Sequence, residues 1–220
     1  MQRPPARRDP WPIVGFAGAG IFTILLVVVL ATGGLPFDEP VTRLVQGLGL
    51  PVDLWTGITA LGGGQVLLPV GTALGIAALA TGRYRLVLVV AVVLLGGTLF
   101  TEVTKVLVAR PRPPWDHLVV ARGLSFPSGH SLNSAATYGL LAVVAWRTAR
   151  LPVLARWLAV VAGVALPLAI GLSRIALGVH YPSDVLGGWS AALAFVAPGA
   201  VLITVLRAME RTRIGRRAGP

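Results

Sequence analysis

The sequence predicts an all-α integral-membrane bundle of six transmembrane helices. Hydrophobic residues make up 55% of the 220 residues and charged residues only 12%, with a mean hydropathy of +0.80. Because soluble domains carry about 25% charged residues, most of this surface is expected to face lipid. Apolar segments long enough to cross a bilayer recur along the chain, and short arginine clusters separate them. The net charge of +11 therefore indicates basic cytoplasmic loops and not a nucleic-acid-binding surface.

Six segments approach the roughly 20 apolar residues that a spanning helix needs. The first follows an arginine-rich start, but its apolar core is too long for a signal peptide, so we expect a retained anchor. The chain is thus divided into an N-terminal tail (1–12), a transmembrane domain (13–206) and a basic tail (207–220). The predicted spans are 13–31, 64–80, 86–108, 130–146, 153–172 and 185–206.

The arginines predict the orientation of the bundle. Clusters precede the first span, join spans two and three, join spans four and five, and follow the sixth. In a six-span bundle all four clusters fall on one side, which the positive-inside rule makes the cytoplasm, together with both termini. The clusters comprise Arg3, Arg7 and Arg8; Arg83 and Arg85; Arg147, Arg150 and Arg156; and Arg207, Arg211, Arg213, Arg216 and Arg217.

The linker between the first two spans, residues 35–63, is rich in glycine and contains Pro36, Pro40 and Pro51. Its stretch 41–48 has the pattern of a short amphipathic helix on the outer interface, and an ordered loop is the alternative.

Three short motifs lie on the predicted outer side. The first, 105–113, ends span three; the second, 125–130, opens span four; the third, 173–184, joins spans five and six. These motifs hold most of the cations that depart from the positive-inside rule, so we expect chemistry to require them there.

Three of these cations predict an anion site. Lys105, Arg112 and Arg174 stand at helix ends that the topology brings to one membrane face. Any one of them alone is explained by a side chain that extends to the interface. Three cations held together repel one another unless an anion joins them, and guanidinium groups match phosphate oxygens bidentately.

The second motif resembles the start of a helix. Ser128 can cap that helix, and Gly129 lets an anion approach the free backbone N–H groups. An ordinary N-cap without a ligand is the alternative.

The third motif contains a histidine and a carboxylate four residues apart. Pro182 fits the first turn of a helix, which places Asp184 in that turn and His180 just ahead of it. A carboxylate on one ring nitrogen would fix the tautomer and leave the other nitrogen free to attack, although a purely structural pair is the alternative.

Together these residues fit phosphoryl transfer. His180 would attack phosphorus and form a phosphohistidine, Asp184 would orient it, and His130 would protonate the leaving oxygen and then activate water. The equatorial oxygens would be stabilised by Lys105, Arg112, Arg174 and the backbone near Ser128 and Gly129.

No metal or other cofactor is expected. The chain has no cysteine, and the predicted outer side has no cluster of carboxylates fit to hold magnesium. The cations would supply the electrostatic stabilisation that a metal ion otherwise provides.

At these residues the sequence resembles the type 2 phosphatidic acid phosphatase superfamily. The signatures of that family are Lys-x6-Arg-Pro, Pro-Ser-Gly-His and Ser-Arg-x5-His-x3-Asp. They match Lys105 with Arg112 and Pro113, residues 127–130, and Ser173 and Arg174 with His180 and Asp184. The resemblance implies a six-helix membrane fold, an extracytoplasmic site and the residue roles given above. Vanadium-dependent haloperoxidases have a similar site, but they are soluble proteins. The apolar spans of this sequence therefore disfavour a haloperoxidase.

The resemblance implies hydrolysis of a membrane lipid phosphate or diphosphate. Undecaprenyl diphosphate, phosphatidylglycerophosphate and phosphatidate are the candidate substrates. Phosphotransfer to another acceptor is one alternative, and an anion or lipid transporter is another. A transporter site is expected near the bilayer midplane, whereas these motifs lie at one interface. The sequence makes no prediction of the oligomeric state.

Three further polar residues are left without an assigned role. Glu102 is explained equally well by an ion pair with Lys105, His117 by a solvated loop, and Asn133 by a hydrogen bond between helices.

Overall fold

The computed structural model describes residues 9–217, and within that range every regular element is an α-helix. The polar N-terminal residues 1–8, with Arg3, Arg7 and Arg8, and residues 218–220 lie outside the described part. The helices are α1 (Trp11–Thr32), α2 (Asp38–Gln46), α3 (Val52–Ala60), α4 (Gly64–Ala80), α5 (Tyr84–Val108), α6 (Gly129–Trp146), α7 (Val153–Ala176) and α8 (Pro182–Arg217).

The six predicted spans all correspond to helices, but the count of six transmembrane helices is not confirmed. Within the described residues, five helical segments are long and apolar enough to cross a membrane. Helix α6, predicted as the fourth span, is not one of them. Its first half carries His130, Ser131, Asn133 and Ser134, because polar residues of the second motif form its beginning. These polar residues lower the mean hydropathy of a helix that is otherwise apolar.

The spanning segments are found at Trp11–Thr32, Val52–Ala80, Tyr84–Val108, Val153–Ala176 and Pro182–Val205. Together with the all-helical architecture, they describe a multi-pass membrane protein.

The linker between the first two spans and the C-terminal tail contain more helix than the sequence predicted. The predicted amphipathic stretch 41–48 lies mostly within α2, while the sequence did not predict α3, which continues toward α4 through a short glycine turn. The backbone of α8 continues to Arg217, so the expected boundary at residue 206 does not coincide with the end of a helix.

Close helix packing builds the core around α8, which lies against α1, α6 and α5. A Cβ on Gly18 of α1 would come within 2.7 Å of Leu193 Cβ, and one on Gly188 of α8 within 2.7 Å of the Ser128 carbonyl oxygen. Small residues of this kind let helices approach in a membrane, where dispersion contacts replace the hydrophobic effect. The contact at Gly188 also fixes the start of α6 against the start of α8.

As a result, one end of the bundle gathers the C-terminal ends of α5 and α7 and the N-terminal ends of α6 and α8. Helices α2 and α3 also contact α7 there. We call this end the site end, because all three motifs lie on it. The opposite end carries the beginning of α1 and the end of α6, joined by an ion pair between Asp9 and Arg147.

Candidate active site

Helix termini position the motif residues as the sequence predicts. Ser128 is the N-cap of α6, and its side chain accepts from the backbone N–H of Ser131 at 3.4 Å. Helix α8 begins at Pro182 and has Asp184 in its first turn. The N–H of Ser128 donates to the carbonyl oxygen of Asp184 at 3.0 Å. This bond ties the second motif directly to the third.

His180 and Asp184 form the expected pair. Nδ1 of His180 lies 3.2 Å from Oδ2 of Asp184, and both side chains are buried. On the other side of the ring, Nε2 lies 3.3 Å from Nη1 of Arg112, which can only donate. Both contacts are satisfied when Nδ1 carries the proton, so the network assigns the tautomer with a lone pair on Nε2.

Burial also keeps this imidazole neutral. It lowers the pKa of His180 to about 4, and the positive charges of Arg174 and Arg112 act in the same direction. Asp184 opposes the shift, but burial has the larger effect. The ring is therefore unprotonated throughout the neutral pH range.

The predicted cations converge on the two histidines. Arg112 is held by three carbonyl oxygens, those of Val179 at 2.6 Å, Arg122 at 2.8 Å and Gly123 at 3.1 Å. These bonds direct its guanidinium group toward His180.

Arg174, in the last turn of α7, donates to the hydroxyl of Thr59 on α3 at 2.9 Å. It is buried, and its Nε–H is without an acceptor in the described part of the chain.

His130 lies in the electrostatic field of the same groups. The charges of Arg174, Lys105 and Arg112 act on it, as does His180. Lys105 is also close to the start of α6, since a Cβ on Gly129 would come within 3.8 Å of its Nζ. All eight predicted site residues therefore meet at the site end: Lys105, Arg112, Ser128, Gly129, His130, Arg174, His180 and Asp184.

A glycine turn between α3 and α4 lies against His130. A Cβ on Gly63 would be 3.9 Å from His130 Nε2, and one on Gly62 would be 3.4 Å from its Cδ2. The hydroxyl of Tyr138 donates to the carbonyl oxygen of Leu61 at 2.8 Å and anchors the turn to α6. Without side chains at these two positions, the backbone of the turn approaches the imidazole closely.

Sequence reasoning missed a second layer of the site. Arg110 is buried and forms ion pairs with Asp184 at 2.6 Å and with Asp38 at 2.9 Å. Ser183 connects the same groups, and the hydroxyl of Ser125 donates to Oδ2 of Asp184. A signal for Arg110 was present, since it opens the tandem Arg-Pro-Arg-Pro of the first motif. Asp38 is 72 residues away in the chain and has no such signal.

The three residues without an assigned role are explained by local contacts. Glu102 pairs with Lys105 at 2.9 Å while remaining largely exposed. The exposed His117 has its Nε2 3.0 Å from the carbonyl oxygen of Pro113. Asn133 accepts from the hydroxyl of Thr98 on α5 at 3.4 Å, which joins two helices.

The described residues contain no cluster of three or more histidines, aspartates and glutamates arranged to hold a metal ion. Metal independence stays a prediction, and a chelator experiment is needed to test it.

Known proteins match this chain in sequence and in fold. The sequence profile of the PAP2 superfamily matches residues 86–208, which include all three motifs. The chain is 32% identical over 179 residues to phosphatidylglycerophosphatase B of Bacillus subtilis (strain 168), covering 79% of this chain and 87% of that protein. Its fold is similar to the crystal structure of the first transmembrane PAP2 type phosphatidylglycerolphosphate phosphatase from Bacillus subtilis. That comparison has a TM-score of 0.73, 24% identity, and coverage of 86% of this chain and 96% of the other.

Proposed function

Because the chain belongs to the PAP2 superfamily of membrane phosphatases, we propose that it removes phosphate from a membrane lipid through a phosphohistidine on His180. One observation carries the proposal: His180 has its Nδ1 on a buried carboxylate and its Nε2 lone pair on the side of Arg112. A buried, neutral and oriented imidazole beside a cation is what nucleophilic attack on a phosphate anion requires.

In the first step, the Nε2 lone pair attacks phosphorus and the bond between phosphorus and the leaving oxygen breaks. His130 donates a proton to that oxygen, so the lipid departs as an alcohol or, from a diphosphate, as a monophosphate. The proton remains on Nδ1 of His180, which keeps its hydrogen bond to Asp184. The negative charge of Asp184 offsets the positive charge of the phosphorylated ring.

In the second step, His130 takes a proton from water while the water oxygen attacks phosphorus. The bond between phosphorus and Nε2 breaks, its electron pair returns to the ring, and phosphate leaves. His130 ends this step protonated, ready to act as the acid in the next cycle.

The cations stabilise the charge on the transferring group. Arg112 and Arg174 would bind equatorial oxygens through their N–H groups, and Lys105 would add a compact charge near the start of α6. The backbone at the start of α6, near Ser128 and Gly129, adds the partial positive charge of a helix N-terminus. The buried Nε–H of Arg174 supports this assignment, because a phosphate oxygen would supply the acceptor it lacks in the described chain. No metal ion takes part in these steps.

Among the candidate lipids we favour phosphatidylglycerophosphate. The curated relative that is 32% identical over most of both chains carries the name phosphatidylglycerophosphatase B. Phosphatidate and undecaprenyl diphosphate differ in leaving group but present the same terminal phosphate, so they are the competitors in the test. The positive-inside rule favours a site on the extracytoplasmic face, with both termini in the cytoplasm.

The alternatives differ in what accepts the phosphate. In phosphotransfer, an alcohol or another phosphate would replace water in the second step, with the same residues in the same roles. A transporter is disfavoured, since the motif residues meet at helix ends and not at broken helices near the middle of the bundle.

The test uses purified protein in detergent with the three lipids in parallel, in excess chelator, with and without an added alcohol. We expect phosphate release to be fastest from phosphatidylglycerophosphate and unchanged by the chelator. Release that depends on added magnesium would refute metal independence, and transfer to the alcohol in place of water would favour the phosphotransferase. A His180→Ala protein that keeps full cellular function without turnover would favour the transporter.

A further inference from the structure

We infer that Asp38 and Arg110 are positioning residues: acting through Asp184, they hold the imidazole of His180 in the tautomer and orientation that attack phosphorus. The inference rests on the function proposed above and assigns a task to two residues that the three motif signatures do not specify. Both come from parts of the chain far from His180, the start of α2 and the connection after α5.

The two oxygens of Asp184 have separate partners. Oδ1 accepts from Nη1 of Arg110 at 2.6 Å. Oδ2 faces Nδ1 of His180 at 3.2 Å and also accepts from the N–H of Tyr181 at 2.9 Å and from the hydroxyl of Ser125. Arg110 therefore fixes the rotation of the carboxylate about its Cβ–Cγ bond, and that rotation decides whether Oδ2 reaches the imidazole.

Arg110 is in turn fixed by Asp38. Nη2 of Arg110 donates to Oδ2 of Asp38 at 2.9 Å. Ser183, the residue before Asp184, donates to Asp38 twice: its backbone N–H reaches Oδ1 at 2.8 Å and its hydroxyl reaches Oδ2 at 2.7 Å. Nη1 of Arg110 also donates to the Ser183 hydroxyl at 2.8 Å. One guanidinium group thus lies between two carboxylates, with a serine that contacts both Arg110 and Asp38.

The surroundings leave this arrangement little freedom. The side chains of Arg110, Asp38 and Asp184 are 3%, 7% and 0% exposed, so none of them can exchange its partner for bulk water. The ring of Tyr181 lies 3.8 Å from the guanidinium carbon. A Cβ on Gly34 would come within 2.7 Å of Nη2, so a glycine is needed where α1 leads into α2.

Stability alone is a weak explanation for such a network. A buried ion pair often contributes little net free energy, because desolvation of its charges offsets their attraction. Here the network ends on the carboxylate that contacts the nucleophile, and outer partners of this kind orient reactive groups. Without Asp38, Arg110 would keep only Asp184 as a counter-ion, and we expect the carboxylate to turn toward it and away from His180.

The test compares Asp38→Asn with Glu39→Gln in the full-length protein in detergent. Both variants remove one carboxylate charge from the first turn of α2, but Glu39 is 65% exposed and pairs only with the exposed Arg43 among the described residues. We expect Asp38→Asn to lower kcat roughly 10- to 100-fold with KM within about twofold, and Glu39→Gln to leave both unchanged. Rapid quench in alkali with ³²P-labelled substrate should assign the loss to phosphoenzyme formation.

Two more variants guard against a protein that merely fails to fold. Arg110→Lys keeps the positive charge but loses the fork that reaches both carboxylates, so we expect the same loss of kcat. Ser183→Ala removes one hydroxyl from the network and should lower kcat roughly threefold to tenfold in a folded protein. Gel filtration and the thermal midpoint identify the folded fraction, and kcat is expressed per folded molecule.

The outcomes separate the two proposals. Folded Asp38→Asn and Arg110→Lys proteins that form phosphoenzyme at the wild-type rate would overturn the positioning role, whether or not His180→Ala is inactive. A loss that appears only as a smaller folded fraction would also overturn it, because the network would then be purely structural. A fully active His180→Ala protein would instead remove the proposed function itself.

Discussion

The two ends of the bundle both join helices through ion pairs, but only the site end buries them. There, Arg110 and Asp184 are 3% and 0% exposed and share further partners with Asp38. At the opposite end, Arg147 and Asp9 are 3.7 Å apart, 17% and 27% exposed, and each contacts the hydroxyl of Thr204. That ion pair borders an apolar cleft of about 940 Å³ between α6, α7 and α8.

The difference lies in how charge is balanced. The ion pair of the opposite end joins Arg147 to Asp9. At the site end, Arg110 uses both buried carboxylates, and in the described part of the chain neither Arg112 nor Arg174 has an ion pair of its own. Uncompensated cations beside a neutral histidine favour an anion, whereas a balanced pair only holds helices together. In the proposed mechanism, the same residue types therefore serve chemistry at one end and assembly at the other.

The largest effect should come from removing an imidazole at the site end. We expect His180→Ala and His130→Ala each to lower turnover of a lipid phosphate by at least about 10³-fold, because one removes the nucleophile and the other the acid and base. Asp9→Asn, which breaks the ion pair at the opposite end, should leave turnover within about twofold. Phosphate release by purified protein measures the turnover of all three variants. Equal losses of turnover from substitutions at the two ends would contradict the distinction between them.

Glycines give the next contrast. Gly63→Ala would put a methyl group 3.9 Å from His130 Nε2, from which the proposed mechanism protonates the leaving oxygen. We expect Gly63→Ala to slow hydrolysis of a lipid phosphate roughly tenfold and hydrolysis of a soluble aryl phosphate much less. The thermal midpoint should change little.

Gly163, which lines the cleft, is the matched control, because its Cβ would lie 2.6 Å from Ala142 Cβ. Gly163→Ala should cost about 1–3 kcal/mol of stability through overpacking and leave the ratio of the two substrate rates unchanged. If Gly63→Ala slows both substrates equally, the glycine turn does not face the leaving group.

The smallest expected effect is on stability at acidic pH. Burial lowers the pKa of His180 to about 4, below the roughly 6.5 of an unfolded histidine, so the unfolded chain binds more protons between these values. Stability from this residue is present above about pH 6.5 and is lost as the pH falls toward 4.

All three histidines, His117, His130 and His180, lie at the site end, so the opposite end adds no histidine titration in this window. Between pH 7 and pH 5 the unequal pKa values remove about 2 kcal/mol of stability, so the thermal midpoint of the wild type should fall about 4–8 °C more than that of His180→Gln. Parallel curves for the two proteins would contradict the burial argument.

The sequence predicted the parts of the site that depend on local pattern. Ser128 caps α6, Pro182 opens α8, and His180 meets Asp184, since each of these follows from spacing within a few residues. The contacts of Arg110 with Asp38 depend on how α1 leads into α2, which no short-range pattern encodes.

The count of six spans was not confirmed for a related reason. Polar residues in the first turns of α6 serve the site, and they lower the apolarity by which a spanning helix is recognised.

The central claim is that His180 carries the phosphoryl group, and trapping the intermediate tests it most directly. A ³²P-labelled aryl phosphate, whose leaving group needs no acid, is mixed with wild type, His180→Ala and His130→Ala and quenched in alkali, in which phosphohistidine persists. We predict label on a peptide containing His180, accumulation of label in His130→Ala because water is no longer activated, and none in His180→Ala. Label that persists in His180→Ala, or that maps to another residue, would contradict the account.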